Sequence, residues 1–198
     1  MAKPTPRLAP LAPERWDTRT RSLLGGSVEP VADLEGRADG ASPRPLNILQ
    51  TIAHHPNLLE PFLGFAATLA VRGVLPRRAS ELLALRAAWN CRSAFEWGHH
   101  VVYARAAGLS EPEIRRIALG PDAPEWSHED RVLLAAADEL HQRQDVSEET
   151  WRELSARWNE AQLVEIPFVV GNYTMLSMVA NSTGVPLEAD LPPLPELD

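Results

Sequence analysis

Residues 79–105, ASELLALRAAWNCRSAFEWGHHVVYAR, hold the chain's densest set of ionisable and nucleophile-type side chains inside an apolar helical pattern. At about 100° per residue, Ser93, Glu96, Trp97 and His100 fall at roughly 0°, 300°, 40° and 340°, a sector about 100° wide that one pocket wall presents together. His99 points away, at roughly 240° on the same wheel. Glu81 lies twelve residues before Ser93, and on one unbroken helix it sits about 120° outside that sector. A break is needed to bring it in. Asn90, Cys91 and Ser93 are poor helix formers whose side chains compete for backbone hydrogen bonds. The stretch therefore divides into two consecutive helices, 77–89 and 92–107, joined at Asn90 and Cys91.

The arrangement resembles the core of the carboxymuconolactone decarboxylase and alkyl hydroperoxidase D superfamily. That family's pattern is a glutamate, a cysteine twelve residues on, a second cysteine three further, and a histidine four beyond it. Those positions here hold Glu81, Ser93, Glu96 and His100. The run LLALRAAWNCRSAFEWGHHV, the upstream AHHPNLLEPF and the downstream GVPL are similar to the decarboxylase-like branch, and the likeness covers about residues 46–187. It implies an all-α helical bundle of the alkyl hydroperoxidase D-like type, a homo-oligomer (dimer, trimer or hexamer), and a small-molecule site on Glu81, Glu96 and His100 that needs no cofactor.

The departure falls on the two thiols. Disulfide cycling needs an attacking and a resolving sulfur. This chain has one cysteine, Cys91, offset by two residues from the first motif position. A disulfide peroxidase built within one subunit is excluded, and the remaining Glu81, Glu96 and His100 are left to move protons.

At 198 residues and 44% hydrophobic, the chain buries one sizeable core. It divides into an arm over 1–45 with one short helix at 15–24, a helical domain over 46–187, and an extended tail over 188–198. Proline and glycine crowd the arm (Pro4, Pro6, Pro10, Pro13, Pro30, Pro43, Pro45, Gly25, Gly26), yet Leu8, Leu11, Trp16, Leu23 and Leu24 need cover, so the arm reads as a strap over the core or a neighbouring subunit. A net charge of −8, with no basic run longer than Arg77/Arg78 or Arg115/Arg116, argues against nucleic acid. The single cysteine suits a reducing cytoplasm, and MAKPTPRLAPLAPERW lacks the apolar run of a signal peptide. The most apolar window, 163–180, is interrupted by Glu165, Pro167 and Asn172 and fits a core helix better than a membrane span.

Helix signals fill the rest. A short helix runs from Leu46 to His54, stopped before Pro56. Asn57 and Glu60 form a capping box for 58–72, ended by Gly73, and Pro76 opens the next helix. Ser110 with Glu113 starts 111–118, and Ser127 with Asp130 starts 128–144, with the stripe Leu133, Ala136, Ala137 and Leu140. Ser147 starts 148–158, with Trp151, Leu154 and Trp158 on one face. Asn159 with Gln162 starts 160–182, ended by Gly184 and Pro186.

His100 is the proton carrier, because an imidazole titrates near neutral pH. Glu96, one turn away, is read as orienting that imidazole, the ordinary alternative being a solvated pair with Arg92. Glu81 joins the site by its motif position, the alternative being a pair with Arg77 or Arg78. Ser93, Trp97, Cys91, Asn172 and Tyr173 are the substrate-contact candidates: Ser93 as a hydrogen-bonding group, Trp97 as wall or core, Cys91 chiefly as buried filler, and Asn172 and Tyr173 as polar groups that need partners in an apolar run. No metal site follows from His54, His55, His99 and His100, since adjacent helical histidines diverge by about 100°. The expected function is a cofactor-independent acid/base enzyme of decarboxylase-like type acting on a small unsaturated or aromatic-derived acid or lactone. Two rivals are a peroxide-reducing or redox-sensing protein using Cys91 with an external thiol, and a non-catalytic helical ligand-binding or partner protein.

Overall fold

Short polar side chains set the helix starts along the second half of the chain. Ser93, Ser127 and Ser147 accept the backbone N–H groups of Glu96, Asp130 and Thr150, and Ser110/Glu113 and Asn159/Gln162 form reciprocal capping boxes. Each cap satisfies donors that a helix leaves unpaired at its N-terminus. The computed structural model describes residues 5–26 and 46–196. Among these, nine α-helices occur, with no strand: α1 (Thr18–Gly26), α2 (Asn47–Ile52), α3 (Pro56–Arg72), α4 (Arg77–Asn90), α5 (Ala94–Ala106), α6 (Glu111–Leu119), α7 (His128–Arg143), α8 (Glu148–Arg157) and α9 (Glu160–Thr183). A 3₁₀ turn at Pro13–Arg15 precedes α1.

The fold is an all-α bundle wound around α4. Every residue of α4 from Ala79 to Trp89 is buried, and α5, α6, α7 and α9 pack against it. A helix apolar on all sides belongs in an interior; each fully buried leucine of this helix, Leu82, Leu83 and Leu85, contributes about 1.5–3 kcal/mol. Glu81 and Arg86 are the polar cargo of this helix, so both must find partners in the core. Arg86 finds Asp138 on α7 and the C-terminal carbonyls of α6.

By length and composition α9 is apolar enough to cross a membrane, and half of its most apolar window is buried inside the fold. Its inner face carries Ile166, Val169, Val170, Tyr173, Leu176 and Ala180. Glu165, which interrupts the apolar run, holds the loop before α4 in place. Its carboxylate accepts the N–H groups of Val74 (2.6 Å) and Leu75 (3.3 Å) there. The outer face leaves Val164, Phe168, Met175 and Met178 exposed.

Four local expectations change. The helix α3 begins at Pro56, with His55 in the cap position making no side-chain cap bond and without an Asn57/Glu60 box; proline has no N–H to leave unsatisfied and takes the first position, while Glu60 pairs with Arg19. The helix α5 begins at Ala94 because Arg92 adopts a left-handed φ of 53° and Ser93 is the cap. Trp151 is exposed, whereas Leu154 on the same helix and Trp158 at its C-cap are buried. The short arm helix starts three residues later than its predicted start.

The described part of the arm lies on the chain's own core. Leu8 N–H donates to Thr183 O and Leu11 N–H to Gln50 O, both at 3.0 Å, and His54 Nε2 donates to Ala9 O at 2.9 Å. Leu11 and Leu24 are buried there. The arm's later prolines, Pro30, Pro43 and Pro45, lie outside the described residues.

Candidate functional site

The turn between α4 and α5 makes the site. Cys91 closes α4, Arg92 takes the left-handed conformation, and Ser93 opens α5 in the reverse direction. The Arg92 guanidinium rests 4.3 Å over the Trp89 ring, which holds the turn from outside. Folded back in this way, α5 lays His100 against Glu81 near the start of α4.

Glu81 Oε2 lies 2.7 Å from His100 Nδ1. The partner fixes the ring: Nδ1–H donates to the carboxylate, and Nε2 is the nitrogen left to work. Glu81 Oε1 is 2.7 Å from the Arg77 guanidinium but not aligned for a hydrogen bond, so that contact is one of charge alone. On its other side His100 Nε2 is 3.9 Å from Glu96 Oε2, within reach of an electrostatic interaction and too far for a hydrogen bond. The Tyr173 ring of α9 stands edge-on to the imidazole at 4.1 Å. Glu81, Glu96 and His100 are exposed by 0%, 3% and 4%, so a row of carboxylate, imidazole and carboxyl lies entirely within the fold.

Burial pushes the Glu96 carboxyl up to about 8, with the negative charge of Glu188 adding to it. At neutral pH Glu96 is a carboxylic acid with a proton to give. Burial likewise pushes the Tyr173 phenol up, reinforced by Glu81 and Glu96. The Cys91 thiol is raised by burial, with the nearby Thr174 and Ser177 side chains acting in the opposite direction; its Sγ lies 3.8 Å from His141 Nδ1. A thiol held protonated is a poor nucleophile.

The remaining expected residues divide. Ser93 Oγ is occupied as the α5 cap, and Trp97 packs edge-on against Trp89 at 5.9 Å. Asn172 and Tyr173 are both buried. Four buried oxygens of the described residues have no hydrogen-bond partner: Glu81 Oε1, Glu96 Oε1, Asn172 Oδ1 and Ser177 Oγ. Leaving such a group unsatisfied costs about 1–3 kcal/mol, which a polar ligand would offset.

Residues 56–139 match the carboxymuconolactone decarboxylase family. The fold matches an alkylhydroperoxidase AhpD core, an uncharacterized peroxidase-related protein from Ralstonia eutropha, with TM-score 0.77, 16% identity and coverage of 96% of this chain and 95% of the other. A peroxidase-related protein from Silicibacter matches with TM-score 0.76, 17% identity and 96% coverage of both chains. The family match spans 84 of the 198 residues, and the likeness to these solved structures is one of fold. Another chain of this fold is a debrominase solved with 2,3,4-tribromopyrrole, with TM-score 0.74, 15% identity and coverage of 92% and 91%. No curated protein matches the sequence.

Within this fold, Glu188 and Ser177 join the site without any signal in the sequence. Glu188 stands 89 residues from its partner His99, in a tail read only as extended. Ser177 sits one turn beyond Tyr173, where i and i+4 share a face.

The buried acid gives a pH prediction. Glu96 holds its proton up to about 8 in the fold, against a reference of 4.5. Between those values the unfolded chain binds fewer protons than the native state, so this group's stabilisation, fully present below about 4.5, is lost as pH rises towards about 8. Glu96→Gln cannot ionise and is expected to remove that slope. Melting curves across pH should coincide with wild type in acid and lie above it at alkaline pH; parallel curves throughout would rule out the raised acid.

Proposed function

We propose that this protein is a cofactor-independent acid/base enzyme acting on a small unsaturated or aromatic-derived acid or lactone. The observation that carries this reading is the buried contact of Glu81 with His100 Nδ1 at 2.7 Å, with protonated Glu96 on the far side of the same imidazole. Glu81 fixes the tautomer, Nε2 exchanges a proton with substrate, and Glu96 supplies or recovers that proton. In a decarboxylation of this kind, the C–C bond to the carboxylate breaks, its electron pair delocalises into a conjugated carbonyl, and the protein reprotonates carbon. Beyond proton transfer the reaction needs positioning and desolvation, and a buried site performs both. A solved debrominase of the same fold holding 2,3,4-tribromopyrrole agrees with a small ring as ligand.

The test is turnover of a panel of unsaturated carboxy-lactones in D₂O, followed by NMR for loss of the carboxylate and deuterium at carbon. Cys91→Ser is expected to retain more than about half of that activity, since a raised thiol takes no part in proton transfer. Thiol-dependent peroxide consumption that disappears in the same variant would instead establish the redox reading.

Self-association belongs to the same proposal. The superfamily resemblance implies dimers, trimers or hexamers, and a second copy would cover the exposed α9 stripe of Val164, Phe168, Met175 and Met178. Met178→Glu is expected to reduce the sedimenting mass; an unchanged mass removes α9 from the interface.

A further inference from the structure

After α9 the chain returns over α5. A Cβ on Gly98 would stand 2.7 Å from Leu187 Cδ1 and 2.9 Å from Pro192 O, so the C-terminal segment lies directly on the helix there. The next residue, His99, is joined through Nε2 to Glu188 Oε2 at 2.7 Å. Glu188 Oε1 accepts the N–H of Asn47 at 3.1 Å, and Asn47 Nδ2 donates to Pro186 O at 2.9 Å. One carboxylate thus ties together α2, α5 and the C-terminal segment. His99 also lies against Phe95, ring centroids 4.6 Å apart, and is three residues beyond Glu96, a spacing that makes neighbours on a helix surface.

We propose that Glu188 is a positioning residue of the site: through His99 and Asn47 it clamps the C-terminal segment onto α5 and fixes a negative charge over the Glu96 end of the Glu81–His100–Glu96 row. The consequence for catalysis rests on the acid/base reading above; the clamp does not. Glu96 is faced by His100 from its own helix, by Glu81 and Arg77 of α4 across the imidazole, by Tyr173 of α9, and by Cys91 of the turn. Glu188 approaches from outside that set. Burial alone would raise its own carboxyl, but the hydrogen bond and charge of His99 and the Asn47 N–H hold it below the usual range. A carboxylate so held repels a second negative charge nearby and keeps Glu96 in its acid form. The clamp makes this field constant, because Glu188 has partners on two other elements to hold it in place.

The experiment is a ¹³C-carboxyl NMR titration of Glu96 in the full chain, without substrate, in wild type, Glu188→Gln and Glu188→Asp. Glutamine keeps an acceptor for the Asn47 N–H, turns an amide N–H to His99 Nε2 in its other tautomer, and removes the charge; the Glu96 midpoint is expected to fall by about one pH unit. Aspartate keeps the charge and is expected to restore most of the shift. In turnover, the alkaline limb of the pH profile should move down with the Gln variant while KM holds. An unchanged Glu96 midpoint in Glu188→Gln, equal shifts in both variants, or a wild-type midpoint near 4.5 overturns the proposal. The titration needs no substrate, so a wild-type protein without turnover sinks the acid/base reading and leaves this result standing.

Discussion

Arg86→Ala is expected to destabilise the protein by about 3–5 kcal/mol, the range for breaking a buried ion pair from one side. For a chain of this size that is a melting temperature lower by about 10 °C or more. Arg86 lies on the central helix and is 8% exposed. Its Nε and NH2 meet the two oxygens of Asp138 at 2.5 and 2.8 Å, and NH1 donates to Ile117 O at 2.7 Å and Ala118 O at 3.2 Å. Alanine would leave Asp138 with Asn90 as its remaining described partner, at 2.8 Å, and take the guanidinium from two carbonyls at the end of α6, of which Ile117 O keeps the Gly120 N–H. Gly120 sharpens the dependence: at φ 97° a Cβ there would stand 2.8 Å from Arg86 NH2, so the guanidinium fills the space beside that turn. Lysine keeps the charge but not the planar fork and should recover only part of the loss. Arg86→Met combined with Asp138→Leu should recover more, because no charge is then left buried alone. Thermal melts of the four proteins decide it; a loss under about 1 kcal/mol for Arg86→Ala would mean the network is solvated.

The sequence showed the site's skeleton because that part depends on local rules. Poor helix formers at 90–93 announce a break, and once α4 folds back on α5, Glu81 and His100 face each other. What it hid is long-range. Periodicity put Glu96 and His100 in one sector, but it does not measure the 3.9 Å between them, and it gave the orienting role to Glu96 when Glu81 holds Nδ1. Glu188 was invisible for the same reason: an extended tail has no period from which a contact can be read. His99, set aside because it faces away from the sector, is the residue that receives that tail. Trp151 fails differently. Its spacing to Leu154 and Trp158 is that of one face, yet a peripheral helix buries only as much of a face as its neighbour covers.

His100→Gln is expected to lower kcat/KM by about 10²–10⁴-fold, the usual contribution of a positioned general acid or base. Glutamine retains bulk and hydrogen bonding towards Glu81 but has no nitrogen that gains and loses a proton near neutral pH. Glu81→Gln should be nearly as damaging for another reason: a neutral amide no longer selects the Nδ1–H tautomer, so Nε2 is not reliably the nitrogen facing substrate. Because the two residues act as one unit, the double variant should lose little more than His100→Gln alone. The melting temperature of each variant separates chemistry from folding, since Glu81 and His100 are both buried and a collapsed core would lower activity without being catalytic. A His100→Gln protein that is folded and keeps most of its turnover, with Cys91→Ser inactive, would move the chemistry from the imidazole to the thiol.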